Sequence, residues 1–247
     1  MATFVLVHGA WHGGACWDRV VPLLEQAGHQ VHAPDLPGMG DDATPLSTIS
    51  LQVWAQWLAA YLERLDAPAV LVGHSRGGIV ISAASELAPE RVAGLVYLAA
   101  FMLGDGESMV SSYQIDDPEA AQRALRFSDD GSAVLLPEAA REWLYQLTPD
   151  DVADQAVSRL CAEPMWVHGQ ALSLSAERHG RLPRAYIETL RDAVFPLALQ
   201  RQMQTRWLCD AVVALDTDHS PFYSAPQALA QALMAVDATR PAQTGAG

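Results

Sequence analysis

The chain has 247 residues, half of them hydrophobic and 18% charged, so it can build a large core and does not read as globally disordered. Its formal net charge of −14 disfavours a nucleic-acid backbone or an anionic membrane surface as partner. Every basic residue is an arginine, and the absence of lysine excludes Schiff-base, pyridoxal-phosphate and P-loop chemistry.

In chain order, strand and helix patterns alternate. Thr3 to Val7 is short, apolar and rich in β-formers, and predicts a buried strand. Cys16 to Ala27 predicts a helix ended by Gly28, and Gln30 to Ala33 a second short strand. Leu51, Trp54, Leu58, Leu62 and Leu65 recur at helical spacing within a helix predicted from Ile49 to Leu65. Ala69 to Gly73 predicts a strand, Arg76 to Leu87 a helix, and Val92 to Ala99 another strand. The alternation stops over 104–182, which reads as helical and predicts a cap (lid) inserted into one domain. The sheet pattern resumes with Arg184 to Leu190, a helix near Pro196 to Arg206, the strand Ala211 to Leu215 and a helix from about Pro226 to Val236. The expectation is an α/β fold: a mostly parallel central sheet flanked by helices. Its core is formed by residues 1–103 and 183–238, and 239–247 are expected to be a flexible tail.

Strand C-termini in such a sheet share one edge, where active sites lie. Gly73-His74-Ser75-Arg76-Gly77 is a G-x-S-x-G between a predicted strand and a predicted helix, the context of a nucleophile elbow, and makes Ser75 the candidate nucleophile. A serine needs a base, which in this arrangement comes last along the chain. Of His168, His179 and His219, only His219 follows the last predicted strand. Asp192, just after Arg184 to Leu190, is the candidate acid; Asp105 and Glu107 are alternatives. The backbone N–H groups of Ala10 and Arg76 are the candidate oxyanion hole, with Gly9 allowing close backbone approach. Gly9, Trp11, His12, Phe127, Trp143 and Trp166 are candidate lining of a substrate pocket. Three widely spaced cysteines indicate neither a disulfide framework nor a zinc site. The N-terminus has no basic, signal-like region, and a cytoplasmic protein is expected. No metal or organic cofactor is implied, and a homodimer is left open.

Several stretches resemble a known family. They are Phe4 to Gly13 (FVLVHGAWHG), Ala33 to Gly38 (APDLPG), Gly73-His74-Ser75, Tyr97 to Phe101 (YLAAF), Leu147 to Ala153 (LTPDDVA) and Asp218 to Pro221 (DHSP). Together they resemble the plant methyl esterase and hydroxynitrile lyase group of α/β-hydrolases, with its bacterial esterase relatives, over Thr3 to about Val236. The resemblance implies an α/β-hydrolase fold, and the similarity of Tyr186 to Pro196 to the family's acid-bearing strand and loop also points to Asp192. It further implies a branch point. The lyases carry a threonine where this chain has Gly9, and a lysine where it has Ser220. Without that lysine a cyanide leaving group loses its positive charge. Hydrolysis of carboxylic esters is therefore the expected activity, and the apolar residues of the expected cap suggest small to medium, mostly apolar ones; a carbon–carbon lyase and a slow-turnover small-molecule receptor are the alternatives. Arg76 stands where the plant members usually have an apolar residue, and its side chain has no role in this reading.

Overall fold

The computed structural model describes residues 1–112 and 118–238. Strand β1 (Thr3–Val7) leads through a 3-10 turn to helix α1 (Val21–Gln26) and strand β2 (Gln30–His32). Helix α2 (Leu51–Glu63), β3 (Ala69–His74), α3 (Gly77–Leu87) and β4 (Val92–Leu98) follow. Segment 104–182 carries α4 (Met109–Ser112), α5 (Pro118–Ala124), β5 (Leu125–Phe127), β6 (Ser132–Leu135), α6 (Pro137–Trp143), α7 (Asp150–Ser158) and β7 (Glu163–Pro164). The chain closes with β8 (Arg184–Thr189), α8 (Leu197–Gln204), β9 (Ala211–Leu215), α9 (Pro221–Ser224) and α10 (Pro226–Ala238).

Six strands form one sheet in the order β2-β1-β3-β4-β8-β9, and each neighbouring pair is parallel. The expected α/β class and its central parallel sheet are what the structure contains. Because side chains alternate across a strand, Phe4, Leu6, Val70 and Val72 face one core with Trp17, Leu24 and Leu229. Val5, Val7, Leu71 and Tyr97 face the other, with Trp54, Leu58 and Ile79 of α2 and α3. Each fully buried Val, Leu, Ile or Phe contributes about 1.5–3 kcal/mol, and both faces of the central strands are filled. Ser50 caps α2, its Oγ accepting the Val53 N–H at 3.1 Å.

Two expectations need correction. The helix predicted over Cys16 to Ala27 is split: residues 14–17 form a 3-10 turn, and the α-helix begins only at Val21. Pro22 explains this, since it has no N–H for the fourth preceding carbonyl and its ring crowds that carbonyl. Segment 104–182 is not purely helical, because β5, β6 and β7 make a three-stranded antiparallel sheet. Strands of three, four and two residues are too short to display a period of two, and β7 pairs with β6 across the intervening helices. The tail 239–247 lies outside the described residues.

Strand direction places the functional edge. Chain order along the sheet reverses between β1 and β3, the switch point beside which ligands sit in open α/β sheets. Val7 is in register with Gly73, which sets the loop after β1 beside the turn after β3.

Candidate active site

Ser75 sits between β3 and α3 with φ of 52°, in the left-handed region that non-glycine residues rarely occupy. Its N–H donates to the Leu98 carbonyl at 3.1 Å, and its own carbonyl accepts from Gly78 and Phe101 at 3.1 and 3.2 Å. A β-carbon at Gly77 would lie 2.7 and 2.8 Å from the Val7 and His8 carbonyl oxygens, and one at Gly73 2.8 Å from the Gly77 oxygen. The glycines therefore let the turn close against β1. Ser75 remains partly exposed while its immediate neighbours on both sides are buried.

Asp192 and His219 meet at the ends of β8 and β9. His219 Nδ1 donates to Asp192 Oδ2 at 2.6 Å, which leaves Nε2 unprotonated in the neutral ring. The carboxylate is itself held: Oδ2 also accepts from Thr189 Oγ1 at 2.8 Å, and Oδ1 from the Val194 and Phe195 amides at 2.9 and 2.7 Å. The other acids are engaged elsewhere. Asp105 accepts from the Leu174 amide, Glu107 pairs with Arg206, and Asp216 pairs with Arg191. Asp218 is buried and shapes the histidine loop, accepting from Ser220, Ser224, Leu147 and Thr148. His168 lies against Glu163, and His179 against Ser85.

A group of buried neutral histidines surrounds this arrangement. His74 Nε2 donates to the His219 carbonyl at 2.8 Å, with the two ring centroids 4.6 Å apart. Burial, then the neighbouring His219, keeps the His74 pKa well below its ordinary value. His8 Nε2 accepts the Leu36 N–H, so its Nδ1 carries the proton and donates to the Gly9 carbonyl at 3.0 Å. Burial and the Arg76 charge lower it to about 3. His12 donates from Nδ1 to the Ala10 carbonyl and accepts from the Tyr145 hydroxyl, both at 2.8 Å, and burial lowers it to about 4.

The candidate oxyanion donors are open. Neither the Ala10 nor the Arg76 N–H donates to a protein acceptor among the described residues. A β-carbon at Gly9 would lie 2.7 Å from His74 Nδ1 and 3.0 Å from Ser75 Cβ. A threonine, as in the lyases the sequence resembles, would not fit this backbone without displacing the His74 ring.

The aromatic side chains proposed for the pocket are distributed differently. Phe127 is 53% exposed on β5, so it does not line an enclosed pocket. Trp143 packs against the core on the α10 side of the sheet. Trp166 packs against the opposite core and donates to the Ile49 carbonyl at 2.8 Å. Trp11 donates from Nε1 to the Ala133 carbonyl at 3.1 Å. Rings at helical or strand ends serve packing as readily as binding, and sequence does not separate the two uses. A cleft of about 390 Å³ bordered by His12, Asp35, Arg159 and Cys161 touches none of Ser75, Asp192 and His219.

Sequence reasoning also missed Glu163. It is fully buried, and its carboxylate faces the Arg76 guanidinium, Nε to Oε1 at 3.0 Å. Burial would raise the Glu163 pKa, but the Arg76 charge, His168 and the Trp11 N–H outweigh it and hold it at about 2. Buried as it is, the Arg76 side chain needs a counter-charge, but the sequence does not show that it is buried. Nothing in the sequence says which carboxylate supplies it.

Comparisons with known proteins give the family. The model of the alpha/beta hydrolase family matches residues 4–232. The chain is 35% identical to a pyrethroid hydrolase of Sphingobium wenxiniae, covering 93% of this chain and 85% of that one. It is 34% identical to methylesterase 1 of Arabidopsis thaliana, covering 92% of each. The crystal structure of a pyrethroid hydrolase from Sphingobium faniae superposes with a TM-score of 0.85 at 33% identity, covering 96% of this chain and 98% of that one. With a parallel sheet, a strained serine elbow and an Asp–His pair at the following strand ends, the chain belongs to the alpha/beta hydrolase family.

Proposed function

We propose that this protein is a carboxylic ester hydrolase that works through an acyl-enzyme on Ser75. The observation that carries the reading is the 2.6 Å bond from His219 Nδ1 to Asp192, in loops that leave the same sheet edge as the Ser75 elbow. His219 Nε2 takes the Ser75 proton as Oγ attacks the ester carbonyl, while Asp192 stabilises the imidazolium. The carbonyl oxygen gains its negative charge against the Ala10 and Arg76 N–H groups. Collapse of the tetrahedral intermediate expels the alcohol, which leaves with the proton from His219. Water then attacks the acyl-enzyme with His219 as base, the acid departs, and Ser75 regains its proton.

The similar proteins are named as a pyrethroid hydrolase and a methylesterase, which supports an ester substrate. Segment 104–182 is read as a cap over the sheet edge, and a small to medium, mostly apolar ester is the substrate class proposed for it. The lyase alternative is disfavoured by the lack of space for a side chain at Gly9. A fluorophosphonate probe followed by peptide mapping is expected to label Ser75; labelling at another residue, or none, would refute the mechanism. The Ser75→Ala variant is expected to lose about 10⁴- to 10⁶-fold in turnover.

A further inference from the structure

The Arg76 side chain does not reach into solvent. It folds back beneath its own turn, fully buried, with its guanidinium 4.2 Å from the Trp54 ring centroid. Nη2 donates to the Gly9 carbonyl at 2.9 Å and to Glu163 Oε2 at 3.3 Å, and Nε donates to Glu163 Oε1 at 3.0 Å. Glu163 Oε2 also accepts the Trp11 N–H at 3.2 Å. A buried ion pair is weak evidence for stability, because desolvation offsets its attraction. Its role here follows from the loop's peptide groups.

In a trans peptide the C=O and N–H point in opposite directions. The Gly9 carbonyl belongs to the peptide whose N–H is on Ala10, and it is held from one side by both Arg76 and His8. The Ala10 N–H is thereby turned to the other side, where it has no protein acceptor among the described residues. The next peptide is held at both ends, its Ala10 carbonyl by His12 and its Trp11 N–H by Glu163. The Trp11 carbonyl accepts from the Cys161 amide at 2.9 Å, and the indole donates to Ala133. These contacts hold Trp11 at φ of 60°, a conformation unfavourable for a bulky residue. Three of them come from β6, β7 and the chain just before β7.

We infer that the buried Arg76–Glu163 pair is a positioning device for the oxyanion hole: it aims the Ala10 N–H at the reaction centre and makes segment 104–182 the support of that loop. The inference rests on the acyl-transfer reading of Ser75. Arg76 then acts twice, through its amide as a donor and through its side chain as the brace of the second donor. The pair is a positioning element and does not touch the reacting atoms.

The test compares the full-length protein with the double variant Arg76→Met, Glu163→Met, which keeps both backbone amides. Replacing a buried pair by apolar residues of similar size is often neutral for stability, and thermal unfolding checks this. Three readouts are taken: kcat and KM on p-nitrophenyl butyrate, inhibition by an alkyl trifluoromethyl ketone, which mimics the tetrahedral oxyanion on serine, and inhibition by butyrate. The expected result is a kcat loss of about 10- to 100-fold with KM within about twofold, a matching loss of ketone affinity, and unchanged butyrate inhibition. A folded double variant with wild-type kcat and ketone affinity overturns the inference, as does an equal weakening of ketone and butyrate, which marks general collapse of the pocket. If the double variant does not fold, Glu163→Gln decides. It keeps the shape but removes the charge, and is expected to give the same selective loss to a smaller degree; full kcat and ketone affinity in this variant overturn the inference. Ser75→Ala separates the two readings: turnover surviving there defeats the acyl-enzyme itself, whereas an inert Ser75→Ala beside a fully active double variant defeats only the positioning role.

Discussion

The turn after β3 and the loop after β1 lie side by side at the sheet edge, yet they are held in different ways. The turn is held largely by backbone: Ser75 is tied to Leu98, Gly78 and Phe101 through main-chain bonds, and the glycines at 73 and 77 allow close contact with β1. The loop is held mostly by side chains and by distant chain: Arg76, Glu163, His8, His12 and, through His12, Tyr145. A turn closed by main-chain bonds and by missing side chains at two positions is marked in the sequence by its glycines. A loop built on long-range polar contacts takes its shape only when the segment that braces it is in place.

Three measurements would break or sharpen this contrast. The largest effect is expected for Asp192→Asn, which keeps the carbonyl oxygen but lets the amide bond His219 in the wrong tautomer; kcat should fall about 10⁴-fold with the fold intact. A loss below tenfold would remove Asp192 from the acid's role, whereas the Ser75 turn would be unaffected.

The second concerns acid. His8 and His12 have folded pKa values near 3 and 4, and burial also lowers His74, so all three are neutral in the fold at pH 7. In the unfolded chain they protonate near pH 6.5, so the unfolded state binds more protons between the two values. Their contribution is complete above about pH 6.5, and each one loses up to about 1.4 kcal/mol per pH unit as pH falls toward the folded value. Glu163, depressed to about 2 in the fold, adds its own loss only below the ordinary carboxylate range. Urea midpoints should therefore drop between pH 7 and 5, before the carboxylates titrate. A flat profile over that range would mean that these rings are not buried and neutral.

The smallest effect is expected at Phe127. With its ring 53% exposed, Phe127→Ala should leave stability within about 0.5 kcal/mol and KM unchanged. A clear rise in KM for an apolar ester would bring Phe127 back to the pocket that the sequence suggested.

Legibility in the sequence follows the range of the forces involved. Ser75 is readable because G-x-S-x-G after a strand is a local steric requirement, seen directly in the 2.8 Å approach that a β-carbon at Gly73 would make to the Gly77 carbonyl oxygen. Asp192 and His219 are readable because parallel strands deliver their following loops to one edge, so chain order stands in for position. The pocket aromatics were harder to place, since Trp143 and Trp166 meet the same apolar pattern by packing in the cores. The small sheet of β5, β6 and β7 escaped because none of its strands exceeds four residues.

From its sequence alone, this protein is an α/β domain with a serine elbow and an ordered series of acid and base at successive strand ends. Short apolar runs, helical spacing and the steric demands of one turn determine that much, and all act over a few residues. Only the tertiary structure decided what the Arg76 side chain does. Its partner Glu163 is 87 residues away on a two-residue strand. Both the need for a counter-charge and the choice of carboxylate arise only once the folded chain buries Arg76 with Glu163 in reach.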